Sequence, residues 1–233
     1  METTEVIPGI WMLRFPVGQA YAIRVPDGWA LVDTGSAGYA QEILDALAGL
    51  GAGPADLREI LLTHSHNDHT GSAAALAAAT GATVLAAVEE APVIRGERPE
   101  PAPVLLDWER PLYDAVAPGV PPGPPCRVDR TLADGDSLGW GPGARVVHVP
   151  GHTAGSIAVH LPHLGALFTG DTIAHADPHG VILGVFNVDR AQAIESFRRQ
   201  AALDVEVACF GHGDPVTSGA GKALRTAVAQ LAG

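Results

Sequence analysis

Four short apolar runs in this chain end on glycine-bearing turns that carry histidine or aspartate, and this restricts the fold more than any other feature. EILLTH (59–64) leads into HSHNDH (64–69). ARVVHVP (144–150) leads into GHT (151–153). GALFTGD (165–171) ends on Asp171, and VEVACFGH (205–212) ends on His212. Apolar runs of that length, bounded by Gly and Pro, read as buried strands. Polar side chains on loops at strand ends, with glycine letting backbones approach closely, are how a rigid scaffold carries a site.

Other runs complete the pattern. IWMLRF (10–15), AYAIRV (20–25) and WALVDT (29–34) are broken by Pro, Gly and Asp and predict an antiparallel meander. GYAQEILDALAGLG (38–51) has apolar residues at helical spacing and stops on Gly51. A helix is predicted at about 70–80, ended by Gly81, then strands at 82–87 and 127–132. SIAVHLP (156–162) reads as a strand, and helices are predicted over residues 189–203 and 222–232. Between about 93 and 125, RGERPEPAPVL and APGVPPGPPC are proline-rich, so an irregular insertion or lid is expected there. Two sheets with helices outside both would bury such mixed patterns.

At 233 residues, 47% of them hydrophobic, the chain can bury one large core but hardly two. A net charge of −12 argues against a nucleic-acid partner, which a basic surface usually meets. METTEVIPGIWMLRF lacks the basic start and apolar run of a secretory signal. No apolar stretch reaches the roughly 20 residues that span a bilayer. With Cys126 and Cys209 in no disulfide framework, a cytoplasmic protein with reduced thiols is expected.

Imidazole and carboxylate are the donors that zinc and iron accept. In HSHNDH, His64 and His66 sit at i and i+2 and project to one side of an extended loop. Asp68 and His69 are adjacent and must point differently, which suits a second ion. His152, Asp171 and His212 are each unremarkable alone, but together with HSHNDH they make a metal centre the natural expectation.

The HxHxDH loop, GHT, TGDT and FGHGDP, in that order, resemble the metallo-β-lactamase superfamily over nearly the whole chain. The resemblance implies an α+β fold, a four-layer αββα sandwich, as a single domain over 1–233 with the insertion at about 93–125. It implies that His64, His66 and His152 hold one metal, and that Asp68, His69 and His212 hold a second. Asp171 would bridge both, and Asp33, in LVDTGS (31–36), would support the metal loop from behind. Two divalent ions are implied, zinc first, with iron and manganese found in relatives. Such ions lower the pKa of a shared water from about 15.7 toward 7, giving a hydroxide that attacks a carbonyl-type carbon. Asp68 is then the catalytic proton handler.

Departures from the family's branches narrow the substrate. Secreted β-lactamases have Cys or Ser where this chain has Asp171. Quorum-quenching lactonases place a tyrosine where it has Ala174. Glyoxalase II enzymes add a helical domain that grips glutathione, whereas only about 21 residues follow His212 here. The expectation is a binuclear hydrolase with a glyoxalase II-like metal site but without that domain. Its partner would be a small-molecule ester, thioester or lactone. Two alternatives remain: an oxygenase like the persulfide dioxygenases, with one iron, and a non-catalytic metal-binding relative. His175 and His179 are expected on a solvated 174–187 loop, Cys209 as a buried thiol, and Trp108 and Trp140 packing the lid.

Overall fold

Strand pairing follows the apolar runs closely. The computed structural model describes residues 1–231, in two compact units. The first comprises Met1–Glu100, Val120–Leu132 and Gly139–Gly141. The second comprises Pro101–Gly119, Ala133–Leu138 and Pro142–Gly233.

The first unit is built on a seven-stranded sheet in sequence order: β1 (Glu2–Ile7), β2 (Ile10–Arg14), β3 (Gln19–Val25), β4 (Gly28–Val32), β5 (Leu57–Leu62), β6 (Thr83–Ala87) and β7 (Arg130–Leu132). Strands β1 to β4 form the expected antiparallel meander, extended by β1. From β4 to β7 the pairing is parallel. Parallel strands need crossovers. These contain α1 (Ala40–Gly49), the one-turn α2 (Asn67–Thr70), α3 (Ala73–Thr80) and α4 (Ala91–Ile94). Ile43 and Leu47 of α1 and Leu76 of α3 pack with Leu31, Ile60 and Val84 of the sheet. Leu61 and Leu85, on alternate strand positions, are buried as well. Burial on both faces is why these strands read as continuous apolar runs.

The second unit contains α5 (Glu109–Val116) and a four-stranded sheet in the order β13-β10-β9-β8. Its strands are β8 (Arg145–His148), β9 (Ile157–Leu161), β10 (Ala166–Phe168) and β13 (Val207–Cys209). A separate hairpin pairs β11 (Ile173–Ala176) with β12 (Gly180–Leu183). Helices α6 (Arg190–Ala201) and α7 (Ala220–Gln230) follow. Phe197 and Leu224 from these helices join Val147, Leu167 and Ala208 in one core cluster. Burying side chains of this size contributes about 1.5–3 kcal/mol each. Asp189 starts α6 by accepting a hydrogen bond from Gln192 N at 3.0 Å. The expected final helix ran to residue 232, which lies outside the described residues.

Two expectations are corrected. The 93–125 insertion is not irregular throughout, because α5 forms within it. Pro111 falls in the first turn, where a missing N–H costs no intrahelical bond. Glu109 fixes the start of the helix by accepting from Leu106 N at 2.9 Å and from Phe186 N at 3.2 Å. The 174–187 segment is not simply a loop, since the β11–β12 hairpin occupies most of it. The two tryptophans also part company. Trp108 is 60% exposed, whereas Trp140 is buried and donates to Glu59 on β5.

Candidate metal centre

In the first unit, β5 ends at Leu62 and hands the chain directly to the histidine loop. His66 precedes α2, and Asp68 and His69 lie on that single turn. Two backbone segments clasp here. Thr34 N and Oγ1 both donate to His69 O, at 2.7 and 2.8 Å, and Ser72 Oγ donates to Ser36 O at 2.6 Å. Gly71 is pressed so tightly against residues 36–37 that a Cβ would stand 2.2 Å from Ala37 N. The glycine of HTG is therefore a requirement of close approach rather than of dihedral freedom.

The clasp fixes the imidazoles through their outward nitrogens. Asp33, at φ 61°, accepts from Thr63 N and Thr63 Oγ1, both at 2.8 Å, and faces His69 Nδ1 at 2.9 Å. A carboxylate on Nδ1 holds the proton there and leaves the Nε2 lone pair pointing inward. Thr63 Oγ1, having donated to Asp33, accepts from His64 Nδ1 at 3.0 Å. His64 Nε2 is thus also a lone-pair donor, and it lies 3.0 Å from His66 Nδ1. The His64 and His69 ring centroids are 4.2 Å apart, and Asp68 Oδ2 is 3.6 Å from His69 Nε2. His64 and His69 are fully buried.

The second unit makes a similar cluster. Asp171 follows β10, and its Oδ2 lies 3.1 Å from His212 Nε2 and 3.6 Å from His152 Nε2. His152 Nδ1 donates to Val185 O at 3.1 Å, so its Nε2 also carries the lone pair. Gly184 passes over Asp171 so closely that a Cβ there would meet the Asp171 carbonyl oxygen at 1.7 Å. His175 braces the cluster from behind, its backbone N–H donating to His212 O at 3.1 Å. The His175 ring stacks on Phe210, while His179 lies on the exposed hairpin turn.

All eight residues singled out in the sequence are therefore clustered: His64, His66, Asp68 and His69 with Asp33 in one unit, and His152, Asp171 and His212 in the other. The donor chemistry fits a divalent metal. Nitrogen and carboxylate oxygen donors lie within 3.0–3.6 Å of one another in each unit, and the outward nitrogens of His64, His69 and His152 are already engaged. Thr63, Val185 and Glu100, which lies 3.1 Å from His66 Nε2, were not anticipated. A threonine before a histidine, a backbone carbonyl and an acid between prolines carry no sequence signal for that role. Cys209 is buried as expected, and its thiol pKa is pushed far up by burial alone. Among the described residues, no helix is long and apolar enough to cross a membrane.

The metallo-beta-lactamase superfamily model matches residues 13–212. Among curated relatives, the hydroxyacylglutathione hydrolase of Cereibacter sphaeroides is 34% identical over 67% of this chain and 48% of its own. That of Fuscovulum blasticum is 34% identical over 78% of this chain and 56% of its own. The chain thus spans about half the length of the curated relatives it matches. Among solved structures, a metallo-beta-lactamase of Cronobacter sakazakii superposes with a TM-score of 0.72 at 23% identity, covering 99% of this chain and 91% of that one. A metallo-beta-lactamase family protein of Thermus thermophilus gives 0.68 at 26% identity, covering 97% and 79%. The α+β fold expected from the sequence is the fold of these structures, and a divalent metal is what that family implies. With its family match running from β2 through His212, the chain belongs to the metallo-beta-lactamase superfamily.

Proposed function

We propose that the protein is a binuclear metal-dependent hydrolase of a small thioester, ester or lactone. His64, His66 and His152 hold one divalent ion, and Asp68, His69 and His212 hold the other. Asp171 would serve both ions, and zinc is a metal that this mixed nitrogen and oxygen set suits. The observation that carries the reading is the proton arrangement: Asp33, Thr63 and Val185 O hold the outward nitrogens of His69, His64 and His152. Imidazoles pinned in that way present their opposite lone pairs in a fixed direction, as ligands require.

Ions bound there supply Lewis acidity and bring the pKa of water from about 15.7 toward about 7. Everything else falls to the chain's own groups. Asp68 is partly accessible, so its carboxylate can take a proton from the attacking water and return it to the leaving oxygen or sulfur. Asp33 is buried behind His69, so it orients a ligand and does not meet substrate. The hydroxyacylglutathione hydrolases among the relatives favour a thioester as the first substrate class to try.

The test is a hydrolysis panel of thioesters, esters and lactones, run on zinc-loaded protein and on Asp68→Asn. Turnover of at least one class is expected, reduced about 10²-fold or more by the substitution. Metal-replete protein that hydrolyses no member of the panel would sink the proposal.

A further inference from the structure

We propose that Glu100, carried by the proline-rich insertion, is a positioning residue for His66 and sets how tightly the metal is held. The proposal rests on the reading of His66 as a ligand. Glu100 Oε1 lies 3.1 Å from His66 Nε2, and on the other side of the ring Nδ1 lies 3.0 Å from His64 Nε2. A carboxylate accepting from Nε2–H fixes the tautomer in which Nδ1 carries the lone pair. It also makes the ring a stronger donor. His64, His69 and His152 each receive the corresponding restraint from a residue beside a strand or loop of their own unit's site. His66 takes it from the insertion.

The insertion is built to present that carboxylate. Glu100 stands between Pro99 and Pro101. Pro99 has a fixed φ, and the residue before Pro101 is restricted to extended conformations, so little backbone entropy is lost in holding Glu100 in place. Upstream, the chain is tied to α4 by Gly96 N to Val93 O at 2.8 Å, Glu97 N to Pro92 O at 2.8 Å and Arg98 N to Pro92 O at 3.2 Å. On the return arm, Cys126 N donates to Ile94 O at 2.9 Å. Glu100 therefore reaches His66 from a segment anchored at both ends. The competing reading is an exposed ion pair without consequence, since the Glu100 side chain is 36% exposed and such pairs contribute little.

Zinc affinity separates the two. Full-length protein, Glu100→Ala, Glu100→Gln and His66→Ala would be titrated with zinc against a chromophoric chelator. Glu97→Gln serves as a nearby control, and the melting temperature of each metal-free protein is recorded. Glu100→Ala is expected to weaken zinc binding about 10–100-fold, the usual effect of losing a carboxylate behind a ligand histidine. Glu100→Gln should fall between it and the parent, Glu97→Gln should match the parent, and metal-free melting should not move. Visible spectra of the cobalt-substituted proteins should change in band position for the Glu100 variants. Unchanged zinc affinity in Glu100→Ala, with His66→Ala strongly weakened, would overturn the positioning role alone. Unchanged affinity in His66→Ala would overturn the ligand reading beneath it.

Discussion

Asp33 Oδ2 lies 2.9 Å from His69 Nδ1, and the same carboxylate accepts both the N–H and the hydroxyl of Thr63. One aspartate thereby orients His69 directly and His64 through Thr63 Oγ1. Its φ of 61° is a conformation that Asn also tolerates, so Asp33→Asn removes the charge without adding backbone strain. Metal affinity is expected to fall about 10–100-fold in that variant. Competition against a chelator of known zinc affinity would show it, and an unchanged affinity would mean that Asp33 serves the fold alone.

Gly71→Ala should be costly for a different reason. The added Cβ would meet Ala37 N at 2.2 Å and the Ser36 carbonyl carbon at 2.5 Å, while the dihedrals themselves pose no difficulty. The clasp between residues 34–37 and the histidine loop must open to admit it. A loss of about 1–3 kcal/mol is expected, seen as a lower melting temperature together with weaker metal binding. Gly49→Ala, with nothing within 4 Å, supplies the comparison and should be neutral or slightly stabilising.

Much of this site was legible because its ligands lie at the ends of apolar runs. EILLTH reads as a strand whether or not its partners are known, and HSHNDH concentrates four donors in six positions. The parts that could not be read depend on distant partners or on weak local pattern. Strand β1, ETTEVI, is mostly exposed and gains its conformation by pairing with β2. The β11–β12 hairpin is half-buried along most of its length, so it lacks the alternation that marks a strand. Helix α5 carries Pro111, which reads as a breaker until its place in the first turn is known. Glu100 has no local signal at all, because its partner His66 is distant in sequence.

His160 should make stability depend on pH. Burial lowers its pKa from the ordinary 6.5, and the nearby Arg145 charge lowers it further, against smaller opposing effects of Asp204. Its Nδ1 has no hydrogen-bond partner among the described residues. The unfolded chain therefore binds the proton more readily than the folded one. Stability is complete above pH 6.5 and falls as the pH drops from there toward the lowered folded value, with a slope of at most about 1.4 kcal/mol per pH unit. Below the folded pKa the loss is constant. Thermal melts from pH 7.5 to 5 should show this slope, and His160→Gln should flatten that part of it.

Phe197 and Trp108 should respond in opposite ways to truncation. Phe197 is fully buried in the α6–α7 core, so Phe197→Ala should cost about 3–5 kcal/mol. Trp108 is 60% exposed, so Trp108→Ala should stay within about 0.5 kcal/mol of the parent. Urea denaturation of both variants checks the pair, and a costly Trp108→Ala would mean that this side chain is covered in solution.

Metal content is the most direct test of the central claim. Protein purified without added metal or a histidine tag would be measured by mass spectrometry. About two zinc ions per chain are expected, removed by chelation together with the hydrolytic activity. A single iron per chain, with oxygen consumed in place of hydrolysis, would contradict the binuclear hydrolase, as would folded protein that binds no divalent metal at all.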